Sequence, residues 1–199
     1  MKVLQIVGVR KSGKNTTVEN LVKELKHRGY RVGTLKCINC PLFSLDSDKK
    51  TNTARHAAAG ADVVVAFGRR EVDFIYPEPM DISRTLALLE PAGLDFCIVE
   101  GGYEFDLPRV VCLGEPVELA ERLTEKTFAV AGVAADSVSG ISALPRFNAL
   151  DDESIGELAG FIEKNVPQLT LPVKHLERPA SCRGFCKGCS GHHSKSQDA

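Results

Sequence analysis

Gly8-Val9-Arg10-Lys11-Ser12-Gly13-Lys14 is the stretch of sequence that decides the fold. It matches G-x-x-x-x-G-K, in which glycines let backbone N–H groups converge on phosphates and the lysine reaches the β and γ oxygens. An apolar run over residues 2–8 precedes the motif, and apolar residues at helical spacing follow it from Lys14 to Arg28. Because it lies between a strand and a helix, the motif predicts a nucleotide-binding phosphate loop rather than a glycine-rich turn with a solvated lysine.

The residue after the motif departs from the usual pattern. Asn15 stands where a Ser or Thr hydroxyl ordinarily binds magnesium. An amide oxygen can bind this ion, but it is a longer and neutral ligand, and Thr16 lies about 100° further around the helix. Phosphate binding therefore has more support than metal-assisted hydrolysis. The residues predicted to contact the nucleotide here are Gly8, Arg10, Lys11, Ser12, Gly13, Lys14, Asn15 and Thr16.

Glu100 is the candidate catalytic residue. It ends an apolar strand over residues 96–100 and is followed by Gly101 and Gly102. Many NTPases place a carboxylate at this position to hold the magnesium-bound water or to orient the attacking water. Paired glycines allow close approach of the backbone to a ligand, which favours this function over a local cap or salt bridge.

Strands and helices alternate along most of the chain, which predicts an α/β, three-layer P-loop NTPase fold with a mostly parallel, doubly wound sheet. The polar stretch over residues 37–53 is predicted to be a substrate or switch loop. The pattern ends after Pro167, so residues 1–167 are predicted to form the nucleotide-binding domain and residues 168–199 an irregular Cys/His-rich tail. The predicted strands cover 2–8, 30–36, 63–67, 96–100, 110–113 and 127–133, and the predicted helices 14–28, 54–60, 83–89 and 154–164.

Composition limits the partners and the compartment. The 199 residues include 25 Lys and Arg against 26 Asp and Glu, so no overall field favours nucleic acid or an anionic membrane. The N-terminal apolar run is too short for a signal peptide or a membrane span, and cytoplasmic residence is the expectation. In that compartment thiols stay reduced, so the seven cysteines are expected to be metal ligands or reactive thiols rather than disulfides.

Five of the cysteines have the close spacing of metal ligands. Cys37 and Cys40 form C-x-x-C beside the expected nucleotide site, while Cys97 and Cys112 lie in apolar strands and are predicted to be core residues. The tail carries C-x3-C-x2-C followed by two histidines: Cys182, Cys186, Cys189, His192 and His193. Zinc in a Cys3His site, an iron–sulfur cluster and reduced, unoccupied thiols all remain open, although the spacing differs from the ferredoxin pattern.

Five segments together resemble the molybdopterin-guanine dinucleotide biosynthesis protein B (MobB) family over about residues 2–165. The resemblance implies a dimeric GTP-binding adapter with weak GTPase activity, acting beside the guanylyltransferase that attaches GMP to molybdopterin. It assigns Gly13, Lys14 and Glu100 to nucleotide and magnesium, with Gly101 beside them. The matching segments are residues 7–14, 32–36, 55–61, 99–101 and 107–110.

The resemblance also places Arg55 and His56 in a segment that the family shares. Arg55 is a candidate for bidentate phosphate binding, with a local carboxylate pair as the alternative. The chain departs from the family at Asn15, at Cys37 and Cys40 in place of two histidines, and at residues 52–53. These departures argue against an ordinary GTPase cycle.

The leading hypothesis is therefore a MobB-like GTP-binding adapter for molybdenum or tungsten cofactor maturation, with weak or no GTPase activity. Its expected partners are a guanine nucleotide, the guanylyltransferase, and a molybdoenzyme or its chaperone. The alternative is a nucleotide-gated metal or iron–sulfur carrier of the metallochaperone kind. A third hypothesis is an adapter that binds nucleotide without turnover. The choice between GTP and ATP stays open, because the sequence after the last core strand lacks the Asn-Lys-x-Asp pattern common in GTPases.

Overall fold

The computed structural model describes residues 1–40, 43, 51–114, 123–133, 135 and 144–170. The chain divides into two compact units, Met1–Leu169 and Thr170–Ala199. All but the first residue of the second unit lie outside the described residues, and so do the tail cysteines and histidines. The predicted boundary between residues 167 and 168 therefore stays a prediction.

Six parallel strands form the main sheet, in the order β2-β5-β1-β6-β7-β8. The strands are β1 (Lys2–Gly8), β2 (Val32–Lys36), β3 (Val64–Phe67), β4 (Val72–Ile75), β5 (Phe96–Glu100), β6 (Arg109–Cys112), β7 (Thr127–Gly132) and β8 (Arg146–Asn148). The helices are α1 (Lys14–His27), α2 (Asn52–Ala58), α3 (Ile82–Leu89) and α4 (Asp152–Asn165), and a 3-10 turn follows α3 at Glu90–Ala92. The predicted α/β fold with a mostly parallel sheet is confirmed.

The middle strands are nearly continuous apolar runs because a parallel sheet is covered on both faces. Strand β5 lies between β1 and β2, so the first two strands of the chain are neighbours in sequence but not in the sheet. This order places the end of β1 between the ends of β5 and β6. It is the position where a ligand would meet the carboxyl ends of three strands.

Helices α1 and α4 pack together over one face of the sheet. Their apolar positions recur at helical spacing, so each presents one stripe to the core. Arg28 joins the two helices, since its guanidinium lies 2.7 Å from Glu24 on α1 and 3.0 Å from Glu163 on α4. The buried residues of the two stripes are Val18, Leu21, Leu25, Ile155, Leu158, Ala159 and Ile162. A smaller cluster of Val7, Val111, Leu113 and Val130 lies apart from this core.

Helix boundaries follow the capping residues. Thr51 caps α2 by accepting a hydrogen bond from the Ala54 N–H, so this helix begins two residues before the predicted start. Asp81 and Asp151 cap α3 and α4 in the same way. In the described part of the chain no helix is both long and apolar enough to cross a bilayer.

Strands β3 and β4 form a separate antiparallel hairpin that the sequence did not predict as a pair. Val65 is paired with Phe74, and Phe67 with Val72, so these four side chains share one face. That face is open to solvent: Phe67 is 87% exposed and Phe74 is 64% exposed. The opposite face is more covered, since Val64 is buried. Strands β4 and β8 were missed because neither is a continuous apolar run: Asp73 interrupts β4, and Phe147 is the only apolar residue of β8.

Candidate functional site

The phosphate loop joins β1 to α1 at the carboxyl edge of the sheet. Lys11, with φ 68°, and Gly13, with φ 85°, adopt the left-handed backbone conformation that lets the loop turn back on itself. Gly13 is the N-cap of α1, and no side chain caps this helix start. The first N–H groups of α1 therefore remain available to an anion, and the helix dipole favours negative charge there.

The phosphate loop packs closely against β6 and β7, which fixes its position. A methyl group on Gly8 would lie 2.4 Å from both the Cys112 carbonyl oxygen and the Ser12 hydroxyl oxygen. A methyl group on Gly132, where φ is 109°, would lie 2.6 Å from the Ser12 carbonyl oxygen. Ser12 itself is fully buried. The sequence analysis missed Gly132, and its only signal was a glycine at the end of an apolar strand.

The basic side chains of the loop have different environments. Lys14 Nζ donates a 2.5 Å hydrogen bond to the Val9 carbonyl oxygen, so the ammonium lies across the loop that it closes. Arg10 and Lys11 are exposed. The Lys14 ammonium therefore lies within the loop, while the two other basic side chains face solvent.

The polar residues at the start of α1 also differ in environment. Asn15 is exposed, and its side chain makes no hydrogen bond within the described residues, whereas Thr16 is half-buried. Thr17 is buried, and its hydroxyl donates to the Gly13 carbonyl at 2.9 Å and accepts from the Cys112 thiol at 3.4 Å. The Thr17 hydroxyl is therefore used inside the fold, while the Asn15 side chain faces solvent.

Glu100 lies beside the loop and forms an ion pair. It is opposite Ile6 of β1 on one side and Lys36 of β2 on the other. Lys36 Nζ lies 3.1 Å from each of its carboxylate oxygens, so the pair is bidentate at the carboxylate. The Glu100 side chain is only 14% exposed and that of Lys36 is 54% exposed. The local salt bridge weighed as an alternative for Glu100 is therefore present.

The charges of Lys14 and Glu100 both act on the buried thiol of Cys112. Burial raises the pKa of the Cys112 thiol to about 12; the hydrogen bond to Thr17 and the positive charge of Lys14 act in the opposite direction, while Glu100 raises it further. Lys14 and Glu100 are therefore both within electrostatic reach of the same buried thiol.

Two buried polar side chains hold the loop after Glu100. The Gln5 amide donates to the carbonyl oxygens of Gly101, at 2.7 Å, and Gly102. Its sheet neighbour Arg109 donates to the Tyr103 carbonyl at 3.4 Å and to the Phe105 carbonyl at 2.5 Å. The sequence analysis assigned no role to Gln5 or Arg109. A glutamine in the middle of an otherwise apolar strand was the available signal.

The C-x-x-C cysteines lie next to this region but do not form a metal site with other described groups. The Cys37 N–H donates to the Glu100 carbonyl at 2.8 Å, and Cys40 is exposed. Burial raises the pKa of the Cys37 thiol, and the charges of Glu104 and Glu100 add to this. Among the described residues no three His, Cys, Asp or Glu side chains group as metal ligands. The carrier hypothesis therefore gains no support from the described part of the chain.

Arg55 and His56 lie on exposed positions of α2. Neither side chain forms a hydrogen bond or an ion pair with the phosphate loop in the described ranges. Nucleotide contact by Arg55 stays a prediction.

The side chains around the phosphate loop are poorly suited as magnesium ligands. The position that ordinarily supplies a hydroxyl is Asn15, and the buried hydroxyl of Thr17 is bonded within the fold. Both oxygens of Glu100 are occupied by Lys36. A divalent ion would have to share this carboxylate with the ammonium or displace it, since each oxygen already accepts one hydrogen bond from Lys36.

A parallel sheet whose first strand delivers G-x-x-x-x-G-K onto an uncapped helix start defines a P-loop nucleotide-binding protein. The model of the family described as "Molybdopterin guanine dinucleotide synthesis protein B" (MobB) matches residues 3–136. The chain belongs to this family, and the resemblance inferred from its segments is confirmed.

Individual relatives agree with this family. A Bacillus subtilis protein named "Probable molybdopterin-guanine dinucleotide biosynthesis adapter protein" is 26% identical over 153 residues, covering 77% of this chain and 88% of the relative. The crystal structure of Bacillus subtilis MobB superposes with a TM-score of 0.66 at 25% identity, covering 80% of this chain and 97% of the other. A MobB homologue from Bacillus stearothermophilus gives 0.64 at 27% identity, with coverages of 83% and 100%.

Proposed function

We propose that this protein is a GTP-binding adapter in the biosynthesis of the molybdopterin-guanine dinucleotide cofactor, with weak or no GTP hydrolysis. The observation that carries the proposal is the phosphate loop, in which Lys14 spans the loop and the start of α1 is left uncapped. The adapter function comes from the names of the relatives. The choice of guanine rather than adenine as the base comes from the same family.

The geometry supports binding more than turnover. Backbone N–H groups at the start of α1 and the Lys14 ammonium supply positive potential for the β- and γ-phosphates. Glu100 is the candidate for orienting an attacking water, but its carboxylate is bound to Lys36. Both oxygens of this carboxylate already accept hydrogen bonds from the ammonium, so it is less free to orient a water at the γ-phosphate. Slow hydrolysis follows from this arrangement.

Lys14→Ala tests nucleotide binding. Loss of a charge-assisted contact to phosphate should weaken GTP binding about 100-fold, equivalent to about 3 kcal/mol. Lys23→Ala is the matched control, because Lys23 is an exposed lysine on the same helix. Calorimetric titration of both variants with GTP and ATP also measures base preference. Equal GTP affinity in Lys14→Ala and the unchanged chain would refute the phosphate-loop assignment.

The hairpin supports a homodimer. An isolated two-stranded hairpin is only marginally stable in water, and its open face carries Val65, Phe67, Val72 and Phe74. A second copy is the proposed occupant because the same apolar face on both chains can pair about a two-fold axis. Such a contact would also cover strand edges that otherwise invite aggregation.

Replacing both Phe67 and Phe74 by serine should shift the protein to monomer in analytical ultracentrifugation. Leu150→Ser is the control, since Leu150 is an exposed apolar residue, 67% exposed, outside the hairpin. Dimers that persist in the double variant at the same dissociation constant would place the interface elsewhere.

The guanylyltransferase and a molybdoenzyme or its chaperone are the proposed protein partners. The test is a binding measurement between the purified adapter and the purified guanylyltransferase with GTP present. Binding is expected with the unchanged chain and should weaken with Lys14→Ala if the nucleotide controls the association.

A further inference from the structure

Lys36 forms an ion pair with the carboxylate that a divalent ion would use at Glu100. We propose that it is the fixed counter-cation of this carboxylate, and that the site consequently binds a nucleoside triphosphate with little dependence on magnesium. This inference rests on the proposed nucleotide binding. It adds a role for Lys36 and a statement about the metal requirement that the P-loop motif does not supply.

The sheet fixes the ion pair. Lys36 and Glu100 are direct partners at the ends of the parallel strands β2 and β5. The Cys37 N–H donates to the Glu100 carbonyl at 2.8 Å, which continues the strand pairing one residue beyond the pair. Lys36 is therefore held opposite Glu100 by the backbone, and its ammonium reaches both carboxylate oxygens at 3.1 Å.

The pair also differs from an ordinary surface salt bridge. Glu100 is 14% exposed at its side chain, so little water remains to solvate the carboxylate if the lysine leaves. Lys36 is 54% exposed, which limits the strength of the pair to that of a partly screened contact. A divalent ion can therefore compete with the lysine, but it gains less than it would from a free carboxylate.

The other expected magnesium ligand is also changed. A P-loop ordinarily supplies a short hydroxyl directly after its lysine, and this chain has the exposed amide of Asn15. The buried hydroxyl of Thr17, two residues further on, is bonded to the Gly13 carbonyl and to Cys112. Of the two expected magnesium ligands, one is thus replaced, and the other is retained but paired with a cation. Asn15 and the Lys36–Glu100 pair should each reduce the amount by which magnesium increases the affinity for the nucleotide.

The test compares nucleotide affinity with magnesium and with a chelator. The full chain is titrated calorimetrically with a non-hydrolysable GTP analogue in each buffer, and the ratio of the two dissociation constants is the readout. The unchanged chain should give a ratio within about threefold. Lys36→Met frees Glu100, so magnesium should then improve its affinity at least about fivefold, or about 1 kcal/mol at 1.4 kcal/mol per tenfold.

Two controls separate charge from folding. Lys36→Arg keeps the cation and should retain the low ratio of the unchanged chain. Lys126→Met removes another half-exposed, ion-paired lysine, 47% exposed and 3.2 Å from Asp106, and should also leave the ratio low. Circular dichroism checks that each variant is folded.

The possible outcomes separate the role of Lys36 from the proposed nucleotide binding. Binding that tightens more than about threefold with magnesium in the unchanged chain, or an unaltered ratio in Lys36→Met, overturns the role of Lys36 and leaves nucleotide binding intact. Absence of binding in both buffers overturns the proposed function and this inference with it.

Discussion

Gly132 shows how a single residue at the end of one strand supports a loop that belongs to another. Its φ of 109° is in the region that favours glycine, and the space where a side chain would begin is taken by the Ser12 and Leu113 backbone. The loop can lie this close only because no Cβ intervenes. This position connects β7 to phosphate binding although it contributes no functional group.

Gly132→Ala should destabilise the protein by about 3 kcal/mol, from backbone strain together with the steric clash. Gly29→Ala is the matched control, because Gly29 has a φ of 90° but nothing within 4 Å of the added methyl group. It should cost only about 1 kcal/mol from strain alone. Urea unfolding measures both values. A cost for Gly132→Ala no larger than that for Gly29→Ala would contradict the close-packing explanation.

Cys112 links protonation to stability at high pH. Its pKa is about 12 in the folded protein against 9.0 for an ordinary thiol, because the buried thiolate would lose its solvation. The stabilisation from the protonated thiol is complete below pH 9 and is lost as the pH rises from 9 towards 12. The unfolding free energy should therefore decline above pH 9.

Cys112→Ala checks this prediction, and its unfolding free energy should fall less steeply between pH 9 and 10.5 than that of the unchanged chain. Parallel curves for the two proteins over this range would exclude Cys112 as the source. Cys97, with a pKa of about 11, contributes in the same direction in both proteins, so it does not affect the comparison.

At the scale of the element, the segment between β5 and β6 is held by side chains from the sheet. Gln5 and Arg109 together donate to four of its backbone carbonyl groups. Arg109 is 5% exposed, so these contacts compensate part of the cost of burying its charge. The anchoring fixes the course of the chain immediately after Glu100.

Arg109→Met should destabilise the protein by about 2 kcal/mol and speed proteolysis between residues 101 and 107, since the carbonyl oxygens lose their donor. Arg31→Met provides the comparison, because Arg31 also donates to a backbone carbonyl, that of Ala92 at 2.8 Å, but at an exposed position. Its cost should stay within about 0.5 kcal/mol. Thermal unfolding and limited proteolysis with mass mapping would show whether the two arginines differ as expected.

At the scale of the whole molecule, the first unit has the complete described core. Its last residues are joined to its first, since Lys2 pairs with Gln168 and the Leu169 N–H donates to the Met1 carbonyl at 3.0 Å. A chain ending after residue 169 therefore keeps these contacts. A chain ending before Val166 would expose the end of the core cluster.

Met1–Leu169 should fold cooperatively on its own and keep its GTP affinity within about threefold of the full chain. If the tail cysteines are metal ligands, as predicted, the anaerobically purified full chain should contain zinc or iron. The shorter chain should then contain neither. Calorimetry and elemental analysis of both chains give the two answers separately. Equal metal content in the two chains would assign the metal to the first unit instead.

Prediction from sequence was most successful where the determinants are local. The phosphate loop was predicted because its glycines, its lysine and the following helix lie within a few residues of one another. The strands β1 and β5 were predicted because burial on both faces requires continuous apolar runs. Boundaries were less accurate where a cap such as Thr51 decides them, and β4 and β8 lack the continuous apolar run that marks the buried strands.

The sequence by itself therefore determined the class of fold, the phosphate loop and the altered residue Asn15. Only the tertiary structure decided the strand order, which inserts β5 between β1 and β2 and so pairs Lys36 with Glu100. It also decided that Gln5 and Arg109 anchor the segment after Glu100, and that the hairpin stands outside the main sheet. The physical reason is that these features depend on contacts between residues far apart in the chain, and neither propensity nor periodicity encodes which distant segments become neighbours.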